Sequence, residues 1–203
     1  MKVRPEYKSF GELFSENNVF VTPKYQRDYS WESEQLKQFC DDIKNSLFEP
    51  ESHHFFGGIV CAQKEGVGNR KIENTLVDGQ QRLSTIIMFF SVLNRELSKL
   101  DCQTEDADFK VEIQADIKKY LYLEERIQRE KITHNRLAIG KSDDDFYQSA
   151  LKGVKAKIER DSHFLIWSSK EQFELFINEE LWHTKTIAER LSVKYKDLYL
   201  SKT

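Results

Sequence analysis

Residues 72–87 read Ile-Glu-Asn-Thr-Leu-Val-Asp-Gly-Gln-Gln-Arg-Leu-Ser-Thr-Ile-Ile. The run from Ile72 to Val77 is rich in strand formers, whereas apolar residues after Arg82 recur at intervals of three and four. These residues are Leu83, Ile86, Ile87, Phe90, Leu93 and Leu97. The segment Asp78–Arg82 therefore joins a strand to a helix. Because Met88 and Phe89 widen the apolar face, we expect this helix to lie at the centre of the core.

The chemistry of this junction suits a phosphate group. A helix start presents unpaired N–H groups and a partial positive charge, and Gly79 would let the backbone approach a ligand closely. The planar guanidinium of Arg82 can bind two phosphate oxygens, while Asp78 could hold a Mg²⁺ ion or orient a water molecule. Gln80 and Gln81 would add neutral hydrogen-bonding groups. A purely structural interpretation stays open, in which Asp78 caps the helix and Arg82 lies on its surface.

Upstream of this junction the sequence predicts short elements around an aromatic loop. Ser9 and Glu12 have the spacing of a capping box that begins a short helix, and Val19–Val21 is typical of a strand. The stretch Tyr25–Trp31 is too polar and aromatic for a core element, so we interpret it as a loop. Apolar residues at helical spacing then predict a helix from Ser33 to Leu47.

A β-hairpin is predicted immediately before the junction. Phe55–Ala62 is a short apolar run of strand formers, and Ile72–Val77 is a second one. Between them, Gly66–Asn69 has the composition of a turn.

Beyond Leu100 the pattern changes to charged, amphipathic helices. We expect four of them, at Phe109 to about Ile132, Asp143 to about Arg160, Ser169 to about Lys185, and Ile187 to Leu198. Ser169 and Gln172 would form the capping box of the third. We therefore predict an α+β fold, with a core in residues 1–100 and a mainly helical extension in residues 101–203.

Composition limits the class of protein. The 31 basic and 34 acidic residues give a net charge of −3, so no global positive field draws the chain to nucleic acid. Cys40, Cys61 and Cys102 are odd in number and far apart, which argues against a disulfide framework and a thiolate zinc site. The first residues are charged, and no apolar run reaches the roughly 18 residues of a membrane span, so we expect a cytoplasmic protein.

Three segments, in order and with their spacing, resemble the motif set of the GmrSD N-terminal domain family. They are Tyr25-Gln26-Arg27-Asp28-Tyr29-Ser30-Trp31, Phe56-Gly57-Gly58-Ile59-Val60 and Val77-Asp78-Gly79-Gln80-Gln81-Arg82-Leu83-Ser84-Thr85. The resemblance is strong over residues 10–97. His134–Leu137 and Asp145–Tyr147 are similar to a weaker feature of the family.

This resemblance implies a small mixed sheet with helices of the ParB/sulfiredoxin type that binds and hydrolyses a nucleoside triphosphate with Mg²⁺. It further implies a role in bacterial restriction of phage DNA that carries modified bases. The implied catalytic residues are Asp78, Gln81 and Arg82, with Asp78 also holding the Mg²⁺ ion. The implied nucleotide-binding residues are Tyr25, Gln26, Arg27, Gly79 and Gln80.

One feature of the family's longer members is not found here. None of the five histidines lies in a nuclease metal motif, so we expect the nuclease to be a separate domain or subunit. Two other functions stay open: a ParB-like regulator that binds DNA or nucleotide without turnover, and an interaction module without catalysis.

Overall fold

A computed structural model describes residues 5–15, 17–48, 55–63, 71–100, 104–127 and 129–181. The helices are α1 (Phe10–Ser15), α2 (Ser33–Phe48), α3 (Gln80–Lys99), α4 (Thr104–Leu121), α5 (Asp144–Leu151) and α6 (Asp161–Phe176). The strands are β1 (Asn18–Val21), β2 (Val60–Gln63), β3 (Ile72–Asp78), β4 (Tyr122–Ile127), β5 (Glu130–Asn135) and β6 (Leu137–Ala138). A π-helical turn, Ile177–Leu181, continues α6.

Within the described ranges, four strands form one mixed sheet in the order β2-β3-β1-β6, and β4 pairs with β5 separately. β1 runs parallel to both β3 and β6, whereas β2 and β3 are antiparallel. The predicted α+β class and the predicted hairpin are thus confirmed. The first strand of that hairpin begins only at Val60, which pairs with Asp78, the last residue of β3, and Gly57, which precedes this strand, has a φ of 97°. The predicted turn, Gly66–Asn69, lies outside the described residues.

Helix α3 is the centre of the core, as predicted. Leu83, Ile86 and Ile87 are all at most 2% exposed, while Phe90 and Leu93 are half-buried and pack against the core. The helix contacts α4 and α6 as well as α5. Because other helices pack on several sides of α3, its apolar face is wider than that of a helix that lies on the protein surface.

The N-terminal elements agree with their local sequence signals. The backbone N–H of Ser9 donates to Glu12 Oε2 at 2.8 Å, and the Glu12 N–H donates to Ser9 Oγ at 3.2 Å, so the predicted capping box is confirmed. The predicted strand at Val19–Val21 and the predicted helix from Ser33 are present as β1 and α2.

The helix predicted from Phe109 to Ile132 is wrong in its second half. α4 ends at Leu121, and the chain then forms the β4–β5 hairpin. Inward and outward side chains alternate here, with Leu123 buried between exposed or half-exposed neighbours. This period of two favours a strand, but charged residues on the outward positions resemble a helix surface.

The two helices predicted from Asp143 and Ser169 have different bounds. α5 ends at Leu151 because Gly153 adopts a φ of 75°, and the Val154 N–H donates to Ser149 O, as at a helix end closed by glycine. The predicted capping box at Ser169 is wrong, since Ser169 lies inside α6 and donates to Leu165 O. The helix predicted at Ile187–Leu198 lies outside the described residues.

Residues after 101 are joined to the sheet by Arg136 and β6. The buried Arg136 guanidinium donates to three backbone carbonyls, on Phe14, Asn18 and Lys119. Burial lowers the pKa of Arg136, and these carbonyls compensate for part of the lost hydration. The domain boundary near residue 101 stays a prediction. Among the described helices, none combines the length and the apolar character needed to cross a bilayer.

Replacing Ile87, which is 1% exposed, by alanine should lower the free energy of unfolding by about 2–5 kcal/mol, because it leaves a cavity beneath α3. Val111, 64% exposed on α4, provides the control, and its replacement by alanine should change stability by less than about 0.5 kcal/mol. Denaturant unfolding followed by circular dichroism measures both. Equal stability of the two variants would contradict the central position of α3.

Candidate functional site

The turn between β3 and α3 is made by a glycine in the left-handed conformation. Gly79 has φ 89° and ψ 7°, and it is the N-cap of α3, with no side chain capping the helix. Asp78 is therefore not the helix cap, and the structural interpretation of that residue as an N-cap is wrong. A Cβ atom on Gly79 would lie 2.8 Å from Gly58 O, so only glycine fits here.

Arg82 packs onto the segment that precedes β2. Its Nη1 donates to Gly58 O at 3.1 Å. The side chain also passes over Gly57, where a Cβ atom would lie 2.6 Å from Arg82 Nε. Gly57 and Gly79 thus let two backbones and one arginine side chain approach one another, whereas a Cβ atom on Gly58 would meet no neighbour within 4 Å.

The loop Tyr25–Trp31, called the site loop below, is attached to the start of α3 by two glutamine side chains. Gln80 Nε2 donates to Arg27 O at 2.8 Å. Gln81 Nε2 donates to Asp28 O at 3.0 Å, and Gln81 Oε1 accepts from the Ser30 N–H at 2.9 Å.

A third amide joins the site loop to the end of β3. Gln26 Nε2 donates to Val77 O at 2.8 Å, across 51 residues of sequence. Together with the bonds of Gln80 and Gln81, this contact brings the site loop and the turn Asp78–Arg82 together, as expected if both belong to the one site that the family resemblance implies.

These contacts divide the predicted site residues into two groups. Gln80 and Gln81 are buried, and their amides bind the backbone of the site loop. Arg27 and Asp78 are exposed, and within the described ranges neither side chain has a hydrogen-bond or ion-pair partner. Tyr25 is 76% exposed. The exposed charged side chains therefore lie next to a loop backbone that Gln80 and Gln81 hold in place. The roles predicted for individual residues stay predictions.

A second set of residues supports the site loop from α5 and α6, and the sequence reasoning missed it. The Tyr29 N–H donates to Asp143 Oδ2 at 3.4 Å, and Ser142 Oγ donates to Asp28 Oδ1 at 3.0 Å. Asp143 is 1% exposed and also accepts from Ser162 Oγ at 2.8 Å. No local signal identifies these pairs, because more than 110 residues separate their members.

A narrow cleft lies between the site loop and α3, with a cavity volume of about 10 Å³. Its lining includes Arg27, Asp28, Gln80, Gln81, Gly140 and Asp143. This volume is enough for about one water molecule and lies far below the roughly 300–1,000 Å³ of sites that enclose a drug-sized ligand. The cleft therefore marks where the site loop meets α3, and it does not enclose a ligand. Among the described residues, no group of three or more His, Cys, Asp or Glu side chains is arranged to hold a metal ion.

Replacing Gly79 by alanine should destabilise the protein by about 1–3 kcal/mol, because the new Cβ meets Gly58 O and the left-handed backbone becomes strained. Gly58 is the matched control, since a Cβ atom there has no neighbour within 4 Å. Melting temperatures of the two alanine variants, measured without ligand, compare these sites. A Gly79→Ala protein as stable as Gly58→Ala would contradict the close approach described here.

Comparison with known proteins agrees with this arrangement of motifs. The family model described as GmrSD restriction endonuclease, N-terminal domain, matches residues 10–201, which is nearly the whole chain. No curated protein sequence matches the chain significantly. The matched range includes the site loop, the Gly57–Gly58 segment and the turn Asp78–Arg82, and the chain belongs to the GmrSD N-terminal domain family.

Proposed function

We propose that this chain binds and hydrolyses a nucleoside triphosphate as a domain of a bacterial restriction system directed against phage DNA with modified bases. Membership of the GmrSD family supports the restriction role. The observation that carries the nucleotide proposal is the combination found at the start of α3. The N-cap of that helix makes no side-chain hydrogen bond, and Arg27 and Asp78, which have no partner among the described residues, lie on the two segments that meet there.

The charges of this site favour a phosphate group. The first N–H groups of α3 carry the positive end of a 20-residue helix dipole, and they require an acceptor that no described side chain supplies. Arg27 would add a full positive charge from the site loop, and Arg82 a second from the helix itself. Since Gln80 and Gln81 are used to hold the loop, they would position Arg27 rather than contact the phosphates.

A Mg²⁺ ion fits this donor set only together with a phosphate group. Asp78 offers one free carboxylate, and Mg²⁺ is commonly held by one or two carboxylates, water molecules and the phosphates of its substrate. When bound there, the ion would neutralise charge on the phosphates. Asp78 would hold it, while Arg27 and Arg82 would orient the phosphate chain.

The nuclease activity of such a system would come from a separate domain or subunit, and modified DNA would be the ligand of the assembled system. Two other outcomes have distinct signatures. Nucleotide binding without phosphate release would favour a regulator of the ParB type, and no nucleotide binding would favour an interaction module. A thermal-shift screen of ATP, GTP, CTP and UTP with Mg²⁺ is the first test, because a ligand at 100 times its Kd should stabilise the protein by about 2.7 kcal/mol.

Arg27→Ala should weaken binding of the selected nucleotide about tenfold or more and leave the melting temperature of the free protein unchanged. The reason is that the guanidinium is exposed and has no described partner, so only a bound phosphate would lose a contact. Lys24→Ala removes the same charge from an exposed position three residues away and should change the affinity less than about twofold. Isothermal titration measures both, and equal losses would contradict a specific role for Arg27.

Asp78→Ala should reduce phosphate release more than nucleotide affinity, because a carboxylate that holds Mg²⁺ or orients water contributes mainly to the chemical step. Since Asp78 does not cap α3, the melting temperature should stay unchanged, whereas loss of a cap would cost about 0.5–2 kcal/mol. Phosphate release at saturating nucleotide and the Kd are measured for the same preparation. Normal phosphate release by Asp78→Ala would contradict the role proposed for this residue.

A further inference from the structure

Tyr29 is the residue of the site loop that reaches furthest into the core. Its ring is 6% exposed, and its hydroxyl oxygen lies 2.9 Å from Thr85 Oγ1 on α3 and 3.1 Å from Ser169 Oγ on α6. Burial raises the pKa of Tyr29 to about 12, so the hydroxyl keeps its proton near neutral pH. It can therefore donate one hydrogen bond while it accepts another.

The directions of these hydrogen bonds follow from the neighbouring contacts. Ser169 Oγ donates its only proton to Leu165 O at 2.8 Å, so its contact with Tyr29 requires the tyrosine to donate. Tyr29 then accepts from the Thr85 hydroxyl. A directed chain of hydrogen bonds thus runs from α3 through the site loop to α6.

The backbone of the site loop is also held in place by hydrogen bonds to side chains. The Tyr29 N–H donates to the buried Asp143, and the carbonyls of Arg27 and Asp28 accept from Gln80 and Gln81. The Arg27 guanidinium itself has no partner in the described ranges, so only the backbone of the loop determines where it lies.

On this basis, and resting on the proposed function, we propose that Tyr29 is a positioning residue for Arg27. Its hydroxyl, anchored to Thr85 and Ser169, orients the arginine toward the phosphate-binding start of α3. Binding groups that are held in place before the ligand arrives lose less conformational entropy on binding, and small displacements are costly. Removing the buried hydroxyl, which is bonded to Thr85 and Ser169, should therefore weaken nucleotide binding indirectly, through the position of Arg27.

Tyr147 provides a matched control for Tyr29. It is also a buried tyrosine, 1% exposed, and its hydroxyl donates to Ser84 O of the same helix at 2.7 Å. Its hydroxyl bonds to α3 rather than to the site loop, and the pKa of Tyr147 is raised by burial and, to a lesser extent, by the neighbouring Tyr29. Tyr29→Phe and Tyr147→Phe each remove one buried hydroxyl bonded to α3, so comparable losses of melting temperature are expected from the two variants.

The experiment is a double-mutant cycle on the affinity for the nucleotide selected by the thermal-shift screen, measured by isothermal titration well below the melting temperature of every variant. Tyr29→Phe should weaken binding about five- to tenfold, and Tyr147→Phe less than about twofold. In an Arg27→Ala background, Tyr29→Phe should have no further effect, because the side chain that it positions is gone. A purely structural role would give additive losses.

Ser169→Ala tests the anchor on α6 and should reproduce part of the Tyr29→Phe loss in affinity. Equal effects of the two tyrosine variants on the Kd, or additivity with Arg27→Ala, would overturn this inference while leaving nucleotide binding itself intact. If the wild-type protein binds none of the four nucleotides, the proposed function fails, and the positioning role fails with it.

Discussion

Four backbone groups of the site loop need hydrogen-bond partners, and the conformation of the site depends on the side chains that supply these partners. The Arg27 and Asp28 carbonyls and the Ser30 N–H are satisfied by Gln80 and Gln81, and the Tyr29 N–H by Asp143. Each such group, if buried without a partner, would cost about 1–3 kcal/mol. Side chains therefore replace the regular hydrogen bonding that a loop lacks, and they give it one conformation.

This arrangement separates two tasks within one short motif. Gln80 and Gln81 are neutral and buried, which suits groups that hold a backbone, whereas Asp78 is charged and exposed, which suits a group that meets an ion or a ligand. Arg82 combines the two roles, because its side chain binds Gly58 O and yet remains partly exposed. Five consecutive residues thus combine the construction of a site with the groups available for its chemistry.

Features that depend on neighbours in sequence could be predicted, and features that depend on distant contacts could not. The Ser9–Glu12 capping box and helix α3 follow from spacings of three and four residues, and the family resemblance assigned residues of the site loop and of the turn to one site. The β4–β5 hairpin was missed because charged residues on its outer face resemble a helix surface. The contacts of Arg136 with Asn18 and of Asp143 with Tyr29 were missed, because more than 110 residues separate the two partners of each contact.

The contact between Tyr29 and Ser169 spans 140 residues, and this separation has a consequence for how the protein matures. A chain emerging from the ribosome completes β1 and the site loop long before Ser169 is synthesised, and closing so large a loop is slow. Until residue 143 has been synthesised, β1 lacks its neighbour β6, and the Tyr29 N–H lacks the Asp143 carboxylate that accepts its hydrogen bond. The complete set of contacts around the site loop can therefore form only late, after translation has passed α6, so nascent chains would not yet carry it.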